Sequence, residues 1–460
     1  METKNKMGYM PMPKLIVNMS LPLMFSLLIQ SLYNIVDSIF VARLGQNALT
    51  AVSLAYPVQL LMIAVAVGTS VGINSLLSKS IGAKDFGLTG NTATTGVLLA
   101  LAGTAVFMLL GFSCTDRFVG MFTNDPVIGG ACGEYLYICM LFCLGSFIST
   151  MFQRFLQSVG NTFGSMLTLV AGAVTNLILD PIFIFGLLGF PALGIRGAAI
   201  ATVTGQWVSA VYAVLLNHFR NPTVRPKIKG YRLEGRILAD IYRVGLPTIV
   251  TQALGSVMVS AINAILMPIS PVSVAFFGIY YKLQSFLFMP MNGLGQAAIP
   301  IVGYNYGAGQ PKRVRAAFCT AVPIAAVIAL LATAVFGSIP GALLGLFNAD
   351  EEMLALGIPA LRTISFTFVF AAVTTILGYA SSGLGNGFIN MIGTGLRQVI
   401  ILVPLVWILT RTAGVSFAWY AFWVAEPAAA VYAIFSSIHL LHKRGMLTHG
   451  DKAEDSEQRE

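Results

Sequence analysis

Residues 15–41 read LIVNMSLPLMFSLLIQSLYNIVDSIFV, an apolar run in which Asp37 is the only acidic or basic residue. A helix needs about 20 mostly apolar residues to cross the hydrocarbon core of a bilayer. This run is long enough, and it is too long for the apolar segment of a cleavable signal peptide. Moving outward from it, eleven further runs of the same kind follow, roughly at 52–78, 92–113, 134–158, 162–186 and 193–218. The rest lie at 238–264, 272–302, 315–338, 355–383, 388–410 and 413–440. Composition agrees. Of 460 residues, 56% are hydrophobic and 10% charged, against about 25% charged in soluble domains. That excludes an ordinary soluble enzyme, a disordered scaffold and a disulfide-stapled module. The expected fold is an all-α polytopic membrane protein with twelve transmembrane helices.

The longest interruption, Asn217 to Gly235, divides the spans six and six. The sequence therefore reads as an N-terminal segment (1–14), a first lobe (15–218), a basic linker (219–237), a second lobe (238–440) and a charged tail (441–460). With both ends inside, the inner segments hold Lys4, Lys6, Lys14, Lys79, Lys84, the linker cations, Lys312, Arg313, Arg315, Lys443, Arg444, Lys452 and Arg459. Outer loops hold only Arg43, Arg117, Arg196 and Arg411. A Lys/Arg bias of about four to one sets orientation in membrane proteins. It puts both termini in the cytoplasm of a multi-pass protein of the cell membrane. The net charge of +9 is then a topology signal and gives no reason to expect nucleic acid.

The halves also repeat. Leu21-Pro22 returns as Leu246-Pro247, Gly82-Ala83 as Gly307-Ala308 and Gly160-Asn161 as Gly385-Asn386, each 225 residues later. Six spans per half is an even number, so the repeat is parallel. In transporters such a repeat places the cargo site between lobes near the midplane.

Ionisable groups inside spans are costly and mark function by default. Asp37 lies 22 residues into its span and Asp180 18 residues into another, roughly 33 and 27 Å along at 1.5 Å per residue. Asn176, four residues before Asp180, shares its helix face, and Thr202 reaches a similar depth from the next span. Two carboxylates, an amide and a hydroxyl suit Na⁺, and neighbouring carboxylates can exchange a proton. The plainer alternative is that both aspartates cap or solvate helices near the outer interface. In the second lobe, Lys282, Arg397 and Glu426 fall near mid-depth, either as a structural charge cluster or with Glu426 as a second proton or cation site. Arg154 reads as snorkelling to the headgroups. Pro181, directly after Asp180, is a candidate hinge. The five cysteines, with no CxxC pair, read as small core residues, and four His form no metal set. No cofactor is expected beyond Na⁺ or H⁺ as a coupling ion.

Asn176-Leu177-Ile178-Leu179-Asp180-Pro181 with Gly194-Ile195-Arg196-Gly197-Ala198-Ala199-Ile200-Ala201-Thr202 resembles the NxxxDP…GxxGAAxAT signature of MATE (multidrug and toxic compound extrusion) transporters. Leu21-Pro22 and the stretch from Asp37 to Gly45 are similar to that family's first span. The resemblance covers nearly the whole chain and is nearest to the bacterial branch typified by Gram-positive multidrug exporters. It implies a V-shaped pair of six-helix lobes that exports lipophilic organic cations in exchange for Na⁺ or H⁺. It also implies that Asp37, Asn176, Asp180 and Thr202 form the first-lobe cation site; the expected working form is a monomer in the bilayer. One departure stands out. The branch that couples through its second lobe has acids in the seventh and eighth spans, where this chain offers Asn263 and Lys282. Two other readings remain. A lipid-linked precursor flippase of the same broad superfamily would show more spans or a cationic cavity. A membrane enzyme would need a catalytic constellation; no HExxH occurs, and the one GxSxG match, Gly68-Thr69-Ser70-Val71-Gly72, lies inside an apolar run and not at the strand-to-helix turn that a nucleophile elbow needs.

Overall fold

The computed structural model describes residues 5–227, 230–347 and 349–447; Lys4, Lys229, Lys452, Arg459 and the tail from 448 onward lie outside them. Helices joined by short turns account for the described residues, with no strand among them. After a short α1 (Lys6–Tyr9), the first half comprises α2 (Met12–Ala42), α3 (Gln46–Gly82), α4 (Phe86–Phe122), α5 (Pro126–Leu141), α6 (Leu144–Ser158), α7 (Thr162–Phe185) and α8 (Ile195–Arg220). The second half comprises α9 (Gly235–Leu266), α10 (Pro271–Gly307), α11 (Pro311–Ser338), α12 (Pro340–Gly345), α13 (Glu351–Ser365), α14 (Phe368–Gly383), α15 (Phe388–Gly395), α16 (Leu402–Thr412) and α17 (Ala421–Lys443). Ten segments are long and apolar enough to span a membrane, and twelve if two bent pairs each count as one.

Those bends repeat too. The fourth span is α5 plus α6, bent by 46°, and its counterpart is α13 plus α14, bent by 48°. The fourth span also starts at Pro126, eight residues before the hydropathy run that marks it in the sequence. Pro126 and Glu351 are 225 residues apart, and the aspartates before them, Asp125 and Asp350, both cap their helices. Asp125 Oδ1 accepts from Val127 N–H at 2.8 Å, and Asp350 Oδ1 from Met353 N–H at 2.9 Å. Each satisfies a donor that the first turn leaves open. The helix ends match as well. Lys84 and Gly309, again one repeat apart, both take left-handed backbone with φ of 56° and 65°. That conformation ends helices readily at glycine and is a strained choice for lysine.

Two compact units emerge. One contains residues 19–81, 85–227 and 230–249; the other contains residues 5–18, 82–84, 250–347 and 349–447. The linker and the first half of α9 thus belong with the first half of the chain, while the N-terminal segment belongs with the second. In the linker, Lys227 N–H donates to Thr94 Oγ1 at 2.8 Å, and Tyr231 OH lies 3.1 Å from Thr95 Oγ1. In the other unit, Arg313 Nη2 donates to the carbonyls of Met7 and Met10 at 2.8 and 2.9 Å. Asn305 Nδ2 also donates to Met7 O, at 3.1 Å.

Large apolar side chains face outward along the spans, among them Phe112, Leu109, Leu331 and Phe435. A continuous shell of this kind would be an aggregation hazard in water and suits hydrocarbon. Cys132, Cys139 and Cys143 are buried, but Cys114 and Cys319 are exposed, which corrects the reading of all five as core. Arg154 is a second correction. It is only 7% exposed, and its Nη1 donates to Gln157 Oε1 at 2.7 Å. Gln157 in turn donates to Ser165 Oγ at 2.9 Å. A buried polar network takes the guanidinium in place of the headgroups.

Candidate functional site

The site starts from a close helix crossing in the first unit. On α7, a Cβ added at Gly172 would stand 2.8 Å from Gly205 O; on α8, one added at Gly205 would stand 2.7 Å from Gly172 O and 3.1 Å from Asn176 Cβ. Small residues let membrane helices approach this closely. The crossing sets Asn176 against Thr202. Asn176 Nδ2 donates to Asp180 Oδ1 at 3.1 Å, one turn along the same helix, and approaches Thr202 Oγ1 at 3.4 Å. Asn176 and Asp180 are buried, and Asp180 has no exposed surface.

Asp37 arrives from α2. Its carboxyl and that of Asp180 face each other within hydrogen-bonding reach. No donor reaches Asp37 Oδ1, Asp180 Oδ2 or Asn176 Oδ1, all of them buried. Acceptor thus faces acceptor, an arrangement that costs energy unless a positive charge sits between them. A proton would turn one carboxyl into a donor to the other. A monovalent metal ion would instead take the three oxygens and Thr202 Oγ1 as hard ligands. The donor set fits either ion. Pro181 follows inside α7, which runs to Phe185 as one element; with no N–H of its own, it leaves the Leu177 carbonyl without its ladder partner.

Four further residues surround the pair. Tyr33, one turn before Asp37, hydrogen-bonds Gln30 and lies within electrostatic reach of both aspartates. Tyr135 on α5 lies within reach of Asp37, and its hydroxyl accepts from Gln59 Nε2 at 3.3 Å. The i, i+4 spacing made Tyr33 findable in the sequence. Gln59 and Tyr135 come from other helices and leave no one-dimensional signal.

In the second unit, Arg397 and Glu426 meet. Arg397 Nε donates to Glu426 Oε1 at 3.1 Å. Lys282 is exposed on α10 and stands outside that pair, so the expected three-residue cluster reduces to two.

Two stretches, residues 22–182 and 247–408, match the family model described as MatE, and their starts are one repeat period apart. The chain is similar to the multidrug export protein MepA of Staphylococcus aureus (strain bovine RF122 / ET3-1). The two are 24% identical over 452 residues, covering 94% of this chain and 95% of that protein. MepA of Staphylococcus haemolyticus (strain JCSC1435) is 22% identical over 432 residues, covering 92% of each. Among solved structures, one of MATE in the bent conformation matches with a TM-score of 0.88 and 26% identity, covering 95% of this chain and 97% of that one. A MOP superfamily transporter from Pyrococcus furiosus, described as having a binding pocket of reverse polarity that suggests a different function, matches with a TM-score of 0.88 and 25% identity. That match covers 96% of this chain and 99% of the other.

Proposed function

The chain belongs to the MatE family, and from that premise we propose that it is a secondary active multidrug exporter. It moves lipophilic organic cations out of the cell in exchange for Na⁺ or H⁺, through the plasma membrane, with both termini inside. The observation that carries the reading is the buried set of oxygen acceptors at Asp37, Asp180 and Asn176, none of which receives a donor. The names of the staphylococcal relatives, multidrug export proteins, support the cargo class.

In this reading the coupling ion enters from outside and sits among Asp37, Asp180, Asn176 and Thr202. Ionised carboxylates inside membrane spans are costly, so neutralising them removes a penalty that held the unit in its ion-free arrangement. Pro181, which already leaves one ladder bond unmade, is the point about which α7 yields. The rearrangement weakens cargo binding, and the cargo leaves outward. Ion and cargo must favour different states, because a ligand that binds both equally shifts nothing.

Ethidium efflux from proteoliposomes, driven in turn by a Na⁺ and by a pH gradient, tests the reading. The expected result is efflux under one of the two gradients. Proteoliposomes that move only anionic lipids or sugars would turn it toward the flippase.

A further inference from the structure

The second unit holds an ion pair that this scheme leaves without a task. Arg397 and Glu426 are 8% and 2% exposed. Arg397 Nε and Nη2 both lie 3.1 Å from the same oxygen, Glu426 Oε1. A guanidinium fork ordinarily matches both carboxylate oxygens. Here Glu426 Oε2 stays buried with no donor. Arg397 has other support: its Nη1 donates to Thr375 Oγ1 at 3.3 Å, and its guanidinium lies 5.9 Å from the centre of the Phe288 ring. The arginine has somewhere to go if the carboxylate lets go.

The backbone around the pair is unusual on both sides. Arg397 sits in a π turn, Leu396–Ile400, where Ile401 N–H donates to Leu396 O five residues back, at 3.1 Å. Such turns are rare and concentrate at functional sites. Glu426 is followed by Pro427 inside α17, the same acid–proline order as Asp180-Pro181. Counted back one repeat, Arg397 falls on Gly172 and Glu426 on Ala201. The pair is therefore peculiar to the second half. A buried pair kept only for packing gains little, since apolar substitutes of like volume are often neutral or stabilising.

We propose that Glu426 Oε2 is a second proton-binding site, guarded by Arg397, whose occupancy lowers the unit's affinity for cationic cargo; this rests on the reading of the cargo as a cation. A proton adds to Oε2 and the carboxylate becomes a neutral carboxyl. The guanidinium keeps all its protons and shifts its hold toward Thr375 and Phe288. The pair passes from net zero to net +1, and that charge opposes a cation bound nearby. Among the described residues, the other ionisable group facing the pair is Tyr280 of α10, within electrostatic reach of both members; α14 faces it through the hydroxyl of Thr375.

The test uses full-length protein in detergent carrying Asp37→Asn and Asp180→Asn, which removes the first unit's carboxyls, and reads ethidium affinity against pH. The expected result is a residual loss of affinity on acidification that disappears when Glu426→Gln is added. If the single change unfolds the protein, Arg397→Met with Glu426→Gln replaces both charges together and should keep the fold while also removing the residual pH dependence. No residual dependence in the parent, or a dependence that survives Glu426→Gln or the double change, overturns the proposal. Wild-type protein that binds no ethidium at any pH fails the exporter reading first, a result distinct from either.

Discussion

Replacing Gly205 with alanine should damage the ion site without substituting any of its ligands. A Cβ at Gly205 would stand 2.7 Å from Gly172 O, whereas ordinary van der Waals contact starts at 3.4 Å. The obstacle is backbone, so α7 and α8 must part by about 0.7 Å or bend. Asn176 Nδ2 already lies 3.4 Å from Thr202 Oγ1; the same displacement carries that contact to about 4.1 Å, beyond hydrogen-bond range. Overpacking a tight contact costs about 1–3 kcal/mol. The lost hydrogen bond is worth about 1 kcal/mol net, or roughly fivefold in affinity for the coupling ion. Thermal unfolding in detergent reads the first quantity, and ion-dependent ethidium efflux at varied ion concentration reads the second. Gly120→Ala is the control, since nothing lies within 4 Å of a Cβ there. A Gly205→Ala protein with native unfolding temperature and native ion dependence would refute the claim that this crossing sets the site.

Asp37→Asn and Asp180→Asn should each abolish ion-driven efflux while the protein still reaches the membrane, because neutral side chains are cheaper there than the native ones; immunoblots of membranes beside efflux rates check both halves. Arg313→Ala removes a guanidinium that holds the carbonyls of Met7 and Met10, and should make the N-terminal segment open to protease before the helices unfold, as limited proteolysis followed by mass spectrometry would read. With the exposed Cys114 and Cys319 replaced by serine, a cysteine at Asp350 should react with an impermeant thiol reagent in intact cells and one at Thr223 should not; the reverse pattern would invert the orientation.

The spans, the repeat and the Asn176–Asp180 face were legible because each is a pattern along one chain: a hydropathy run, a fixed offset, an i, i+4 spacing. The bends in the fourth and tenth spans were not. Phe142-Cys143 and Phe366-Thr367 stand at the breaks, and neither pair interrupts the apolar run or carries a Gly or Pro. The capping role of Asp125 and Asp350 shows only once the helices they start are known. Arg154 was misplaced because counting residues gives depth along a helix and says nothing of facing. Its acceptor Gln157 was only three residues away, on the adjoining turn. Arg397 and Glu426 were matched in depth, yet their pairing, and the exposure of Lys282, depend on helix rotation. The N-terminal segment read only as a stretch before the first span, whereas Met7 has no exposed surface; the groups that hold its carbonyl, Asn305 and Arg313, lie some three hundred residues away.

The central claim is that the coupling ion sits between Asp37 and Asp180, and binding of the ion itself tests it more directly than transport. Purified protein in detergent is titrated with radioactive Na⁺, and its proton uptake is followed with a pH indicator after a small acid pulse, for wild type, Asp37→Asn and Asp180→Asn. The account predicts that wild type takes up one of the two ions and that both variants lose that uptake, except for any proton uptake that Glu426→Gln removes, while still binding ethidium. Undiminished uptake by either variant would contradict it.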